Sequence, residues 1–301
     1  MVTLKKGKAY DNGSAITHVH AFLETVNDAQ EAADARFYFR GDGDSLVPHV
    51  GKKWCYGDRG PIALDSDDEW QLLHRFRRFA NPDVSADAAS WETLFLARHH
   101  ELPTRLLDWS TNPLVALYFA LGIRPDSREP ELPTKRETET QRTNQYVWAI
   151  ELRSAEERAD IDVLAPDSDP LAKEIGNIPL VRANRSRDQM AQGDAIKIIF
   201  PTYNSARITA QRGVFTWQSD PTTPLQSYAE KQPLKDFPDN NLDIARVWRW
   251  PIANDIKTRT EVMQEVNRAG IDARAISPDL DGICRSLLNA VLLFSKLERP
   301  A

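Results

Sequence analysis

Arg40, Asp108, His99, His100, Ser110, Thr111 and Gln211 are side chains of this 301-residue chain whose types and settings could do chemistry. Arg40 sits in Phe39-Arg40-Gly41, at the end of an aromatic run. A guanidinium there can grip two phosphate oxygens through its planar fork, which a lysine cannot reproduce. It can equally pair with Asp42 or Asp108 inside the domain, because buried arginines are normally paired. Asp108 is the nearest carboxylate for stabilising positive charge. Its structural alternative is to hold Arg105 or cap the helix that follows. His99 and His100 are adjacent, so on a helix they point about 100° apart and cannot chelate one metal from a single face. They suit hydrogen bonding, and His100 also suits acid or base work. Gln211 can only orient by hydrogen bonds, and Gln211-Arg212-Gly213 also reads as a bulge or turn between strand runs.

The elements that must position these groups are legible in the pattern. Ile16, Val19, Phe22, Leu23 and Val26 have helical spacing behind a possible Ser14 cap. Phe37-Tyr38-Phe39 reads as a strand ending at Arg40, stopped by Gly41 and Gly43. Two helices follow, one with Trp70, Leu73, Phe76 and Phe79 on a face, and one from about Ser90. Arg105 to Ser110 reads as a strand, and Asn112-Pro113 opens a helix because proline suits the first helical position. That helix, Leu114 to Leu121, is apolar all round and must be buried on most faces, which places Asp108 and Ser110 at the domain's centre.

Tyr146–Leu152, Ala195–Tyr203, Ala206–Thr209, Val214–Gln218 and Ala245–Ile252 are further strand-forming runs. A helix with Val262, Met263 and Val266 stops at Gly270, and a last one carries Leu280, Ile283, Cys284, Leu287 and Leu288. Pro278-Asp279-Leu280-Asp281-Gly282 precedes it as an aspartate cap. Helices near both ends with most strands between them predict an α+β fold with a mixed, mainly antiparallel sheet. Residues 126–145 are too polar to order themselves, and 153–192 is polar and mixed, reading as short helices with a mobile insertion; both are expected as exposed insertions in a single domain spanning 1–301.

A formal charge of -6 excludes a broad basic field of the kind that wraps nucleic acid, while leaving room for a small basic pocket. Cys55 and Cys284 lack metal-ligand spacing and read as buried structural thiols in a reducing compartment. No run is apolar enough to cross a bilayer and no leader is evident, so a cytoplasmic location without a membrane partner is expected.

Taken together, Phe39-Arg40-Gly41, the run from His99 to Ser110, Asn112-Pro113 and Ala116-Leu117-Tyr118-Phe119-Ala120 resemble the FRG domain family. Ala206-Arg207-Ile208, Ala210-Gln211, Gly213, Phe215 and Pro278–Gly282 extend the resemblance, which runs from about residue 35 to 290. The family has glutamine and glycine around its histidine, where this chain has Arg98 and Glu101. The order of Arg40-Gly41, Ser110-Thr111 and Ala116 with Phe119-Ala120 also resembles the arginine-class ADP-ribosyltransferases. Gln211 falls near the place of their third element, without the glutamate two residues on.

That second resemblance implies an ADP-ribosyltransferase-like fold and an enzyme with NAD as its cofactor. Arg40, Asp108, His100 and Gln211 would be the catalytic residues, and Arg40, Gly41, Ser110, Thr111, Thr104 and Arg105 the NAD contacts. Splitting the nicotinamide–ribose bond builds positive charge on the sugar, so a pyrophosphate anchor and an oxocarbenium stabiliser are both needed. The family resemblance implies a toxin or phage-defence effector, acting on a nucleic-acid or protein acceptor and restrained by an antitoxin or regulatory partner. The alternative is a non-enzymatic module that binds a nucleotide or a phosphorylated partner. A metal-dependent nuclease using His99 or His100 with Asp108 ranks lowest, because no carboxylate pair has a two-metal spacing.

Overall fold

The computed structural model describes residues 10–11, 14–56, 59–80, 91–122, 144–152, 196–199, 201, 206–218, 220–227 and 244–294. Its strands are β1 (Tyr10–Asp11), β2 (Phe37–Asp42), β3 (Lys53–Tyr56), β4 (Arg59–Ala63), β5 (Leu106–Ser110), β6 (Tyr146–Leu152), β7 (Ile196–Ile199), β8 (Gly213–Gln218) and β9 (Ile244–Pro251). Its helices are α1 (Val19–Ala33), α2 (Ser66–Ala80), α3 (Trp91–His99), α4 (Pro113–Ala120), α5 (Ala206–Gln211), α6 (Ile256–Arg268), α7 (Ala273–Ile276) and α8 (Leu280–Phe294). The fold is α+β. The expected insertions at 126–145 and 153–192 lie almost wholly outside the described residues.

Among the described residues seven strands form one sheet in the order β1-β9-β6-β2-β5-β8-β7, with β3 and β4 as a separate pair. Every neighbour in the large sheet is antiparallel except the short parallel pairing of β1 with β9. β2 pairs with β6 from Phe37 to Asp42, and β5 pairs with β8 from Leu106 to Ser110. Between β2 and β5 themselves the only Cα pairing is Phe39 with Ser110. The two halves of the sheet therefore touch at one point and splay apart beyond it.

Alternation along each strand sorts the side chains onto two faces. Phe37 and Phe39 join Val147, Ala149, Trp248 and Trp250 in a core that receives α1, α4 and α6. Tyr38 on the other face joins Leu107, Trp109, Trp148 and Ile150. A third cluster packs α2 and α3 on Leu106, Phe215 and Trp217. The expected burial of α4 on most faces holds: Val115, Ala116, Leu117, Tyr118 and Ala120 are enclosed, and Asn112 caps it by accepting from the Leu114 amide at 2.9 Å.

Several local expectations are corrected. β2 continues through Gly41 to Asp42, because β6 pairs with it along that whole length. α1 starts at Val19, whose amide is taken by Glu265 at 2.7 Å, while Ile16 forms an isolated bridge to Ile252. Ala206–Gln211 is a helix, not a strand, with Arg212 at φ 48 turning the chain into β8. Its β-branched Ile208 and Thr209 are overridden by packing, since Ile208 is buried beside Gly213. Phe79 is 86% exposed and Cys284 is exposed, so neither joins a core. Asp279 does cap α8, accepting from the Gly282 amide at 2.7 Å. Among the described residues no helix is long and apolar enough to cross a membrane.

Candidate functional site

The splay between β2 and β5 is filled by charge. Arg40 leaves β2 on the face opposite Phe39 and reaches across the gap, donating from Nη1 to the Asp108 carbonyl at 2.8 Å. It takes up a carbonyl on the edge that β5 turns toward β2. Its Nε and Nη2 donate to Asp42 Oδ2 at 3.0 and 2.8 Å, and Nη1 lies 3.5 Å from Asp108 Oδ2. Asp42 sits two residues along the same strand face, so the pleat itself presents its carboxylate to Arg40.

Three further groups complete the cluster. Arg98, in the last turn of α3, donates through Nε to both Asp108 oxygens at 2.9 and 3.0 Å and through Nη2 to Asp108 Oδ2. Its Nη1 meets His49 Nδ1 at 2.7 Å. A guanidinium can only donate, so His49 Nδ1 accepts and the ring proton is on Nε2. His49 opens a 3₁₀ turn, His49–Gly51, held by the Val50 amide donating to Thr104 O at 3.3 Å. Lys52 follows, its Nζ 3.4 Å from Asp42 Oδ1.

The charge states follow from these contacts. Burial alone would raise Asp42, but Arg40 and Lys52, helped by the Gly43 amide, hold it down to about 2. Burial is likewise outweighed at Asp108, which Arg98 and then Arg40 keep well below the usual carboxylate range. Burial followed by Arg98, Lys52 and Arg40 pushes His49 down to about 3, which leaves it neutral at physiological pH. Burial opposes the charge of Arg98, yet Asp108, with a smaller part from exposed Glu101, raises it above its ordinary value. Among the described residues, three cations, Arg40, Lys52 and Arg98, thus face the carboxylates of Asp42 and Asp108, with Glu101 acting on Arg98 from outside the cluster.

Exposure divides the cluster into a floor and a mouth. The side chains of Arg40, Asp42 and Arg98 are 9%, 8% and 10% exposed, whereas those of Asp108 and Lys52 reach 33% and 32%. An incoming molecule therefore meets an ammonium and an ionised carboxylate first. The guanidinium of Arg40 lies beneath them with its donors already engaged.

The other expected site residues lie elsewhere. Gly41 presses against α4, where a Cβ would overlap the backbone of Ala116 and Ala120; its role is to let helix and strand approach. Thr104 and Arg105 are enclosed, and Arg105 is held by Glu69, not Asp108, through its amide and Nε at 2.7 Å each. Ser110 and Gln211 do meet, with the Ser110 hydroxyl donating to Gln211 O at 2.7 Å. Gln211 Nε2 donates to Ile276 O at 3.3 Å, so this corner ties β5, α5 and α7 together. Thr111 is exposed. His100 is exposed beyond the end of α3, its ring 6.5 Å from Phe76. His99, beside Arg207, is pushed down by burial first and that arginine second. Among the described residues no group of three or more His, Cys, Asp or Glu could hold a metal ion.

Sequence reasoning singled out Arg40 and Asp108 and named Asp42 as a partner, but it missed His49 and Lys52 and noted Arg98 only as a departure. The i, i+2 spacing of Arg40 and Asp42 was a usable signal. Nothing local to His49 or Lys52 announces that a 3₁₀ turn will carry them over β2.

Residues 35–129 match the FRG domain, a span that contains all six members of the cluster. No curated protein and no solved structure gives a significant match to the chain. The motifs at Ala206–Phe215 and Pro278–Gly282 lie outside the matched span.

Proposed function

We propose, on the premise that this chain carries an FRG domain over residues 35–129, that the domain binds a phosphate-bearing nucleotide at the mouth of the β2–β5 cluster. The observation that carries this reading is that Lys52 and Asp108 are partly exposed, 32% and 33%, while Arg40, Arg98 and Asp42 lie deeper in the same cluster. Lys52 supplies a point charge for phosphate, and the ionised Asp108 accepts from ribose hydroxyls. Arg40 acts from beneath, fixing Asp108 by its backbone and steadying the local field. Separation of the expected residues into a charged cluster, a Ser110–Gln211 corner and a buried Thr104–Arg105 pair favours recognition over a fully assembled catalytic set.

The test is calorimetric titration of the full chain with ADP-ribose, ATP and unphosphorylated adenosine. Phosphate-bearing ligands should bind, and Lys52→Ala should weaken them by about tenfold, the scale of one charge-assisted contact. Asp108→Asn should weaken ADP-ribose and adenosine alike. Absence of saturable heat with every phosphate-bearing ligand overturns the reading.

A second, more specific reading is ADP-ribosyl transfer from NAD, favoured by one feature: Asp108 stays ionised beside the mouth. In that step the bond from ribose C1′ to nicotinamide breaks and its electron pair leaves with the now neutral pyridine. The acceptor forms the new bond to C1′ and loses its proton. An ionised carboxylate can stabilise the positive charge that develops on the sugar. The acceptor, nucleic acid or protein, and an antitoxin-type regulator belong to this reading. Nicotinamide release from NAD that is absent in Asp108→Asn supports it; binding of NAD with no release under any condition removes it.

A further inference from the structure

Residues 44–52 bring His49 and Lys52 to the charged cluster, His49 against Arg98 and Lys52 against Asp42. One end is anchored by Trp148 Nε1 donating to Gly43 O at 2.9 Å, and the 3₁₀ turn by Val50 N donating to Thr104 O. The rest is tied to a turn more than 170 residues away in sequence. The Leu46 amide donates to Gln226 Oε1 at 3.0 Å, Gln226 Nε2 donates to Asp44 O at 3.3 Å, and the Leu225 amide donates to Leu46 O at 2.9 Å. Leu46 and Leu225 share the same apolar core, and Gly51 sits so close to Pro221 O that a Cβ would overlap it.

That turn is stiff in its own right. The Asp220 carboxylate accepts from the Thr222 amide and from the hydroxyls of Thr222 and Thr223, at 2.6 to 2.8 Å. Gln218, buried at the end of β8, donates through Nε2 to Asp220 O at 2.6 Å and Thr223 O at 2.7 Å. A rigid turn built on the sheet thus grips the segment partly through bonds of an incompletely buried glutamine, which is how a locally weak closure looks.

We infer that the Asp220–Gln226 turn is a latch that sets how readily residues 44–52 lift from the cluster, with Gln226 a positioning residue for His49 and Lys52. The link to ligand affinity rests on the nucleotide-binding reading; the latch itself does not. Gln226→Ala removes two hydrogen bonds at a partly exposed site. Amide exchange at Val50, Gly51 and Lys52, none of which bonds to Gln226, should speed up by about three- to tenfold. Exchange across β6 and the melting temperature should stay near wild type. Gln226→Glu keeps an acceptor for the Leu46 amide and should restore protection at residues 50–52.

Faster exchange confined to Leu46, or spread equally over β6, overturns the latch. In a parallel titration with ADP-ribose, Gln226→Ala should weaken binding several-fold and Gln226→Glu should recover it. A loosened segment with unchanged affinity overturns the positioning role. No saturable binding of ADP-ribose or ATP by wild type sinks the nucleotide reading alone, and the exchange results still decide the latch.

Discussion

Among the described residues two arginine–carboxylate sites adjoin β5, one at Arg105 just before it and one at Asp108 within it, and they are built to different ends. Arg105 and Glu69 form a closed pair: Glu69 is fully enclosed, Arg105 is 1% exposed, and the guanidinium lies 5.8 Å from the Trp217 ring centroid. One carboxylate takes both the amide and the Nε of one arginine, so the two charges offset each other away from solvent. The Arg40 cluster is open. It has three cations for two carboxylates, a neutral histidine, and a mouth at Lys52 and Asp108. The first arrangement ties α2 to the start of β5; the second keeps two of its charged groups in partial contact with solvent.

Removing one partner from the closed pair should have the largest effect. Glu69→Ala strands a buried guanidinium and should cost about 3–5 kcal/mol in denaturant unfolding. If it costs no more than an exposed pair, the contrast between the sites collapses. Gly41→Ala should come next, at about 3 kcal/mol, because the obstruction is backbone of α4 that cannot rotate away. A melt showing wild-type stability would mean that α4 can shift without loss.

Acid distinguishes the open cluster by titration. Asp42 is held down to about 2 from an ordinary 3.8, so its folded pKa is depressed. Its contribution is fully present above the unfolded value and disappears as pH falls from there through about 2. The amount is about 2 kcal/mol, visible as a slope in unfolding free energy between those limits. Asp42→Asn should flatten that slope, and an unchanged slope would assign the acid sensitivity to another group. The smallest effect on stability belongs to Lys52→Ala, below about 1 kcal/mol because its ammonium is partly solvated. That variant should separate binding from folding, losing affinity for phosphate-bearing ligands while melting normally.

Most elements could be read from local pattern. The apolar run behind Asn112-Pro113 became the enclosed α4, and Tyr146–Leu152 became β6 with the bounds its composition suggests. Such stretches succeed because one periodicity and one cap decide them. Ala206–Gln211 failed because six residues with two β-branched side chains are too short to outweigh their surroundings. The apolar stripe of α8 shows the opposite limit: Leu280, Leu287 and Leu288 keep helical spacing yet are 79%, 65% and 51% exposed. Periodicity reports a face, and burial needs something placed against it.

The candidate site was half legible. Arg40 and Asp108 stand out by type and setting, and Asp42 by its place on the same strand face. That Arg40 also spends a donor on the Asp108 carbonyl across the sheet could not be seen from spacing.

The sequence by itself determined an α+β chain, a central helix buried on most faces, and an arginine carried by an aromatic strand. These follow from interactions a few residues long, which local composition records. The tertiary structure alone decided that β2 and β5 meet at one residue pair and then part, because strand register depends on every neighbouring strand at once. That parting brings Arg40 to Asp108 across 68 residues and lets His49 join Arg98 across 49. Charge at such separations carries no local signature, so the cluster exists only once the sheet has been assembled.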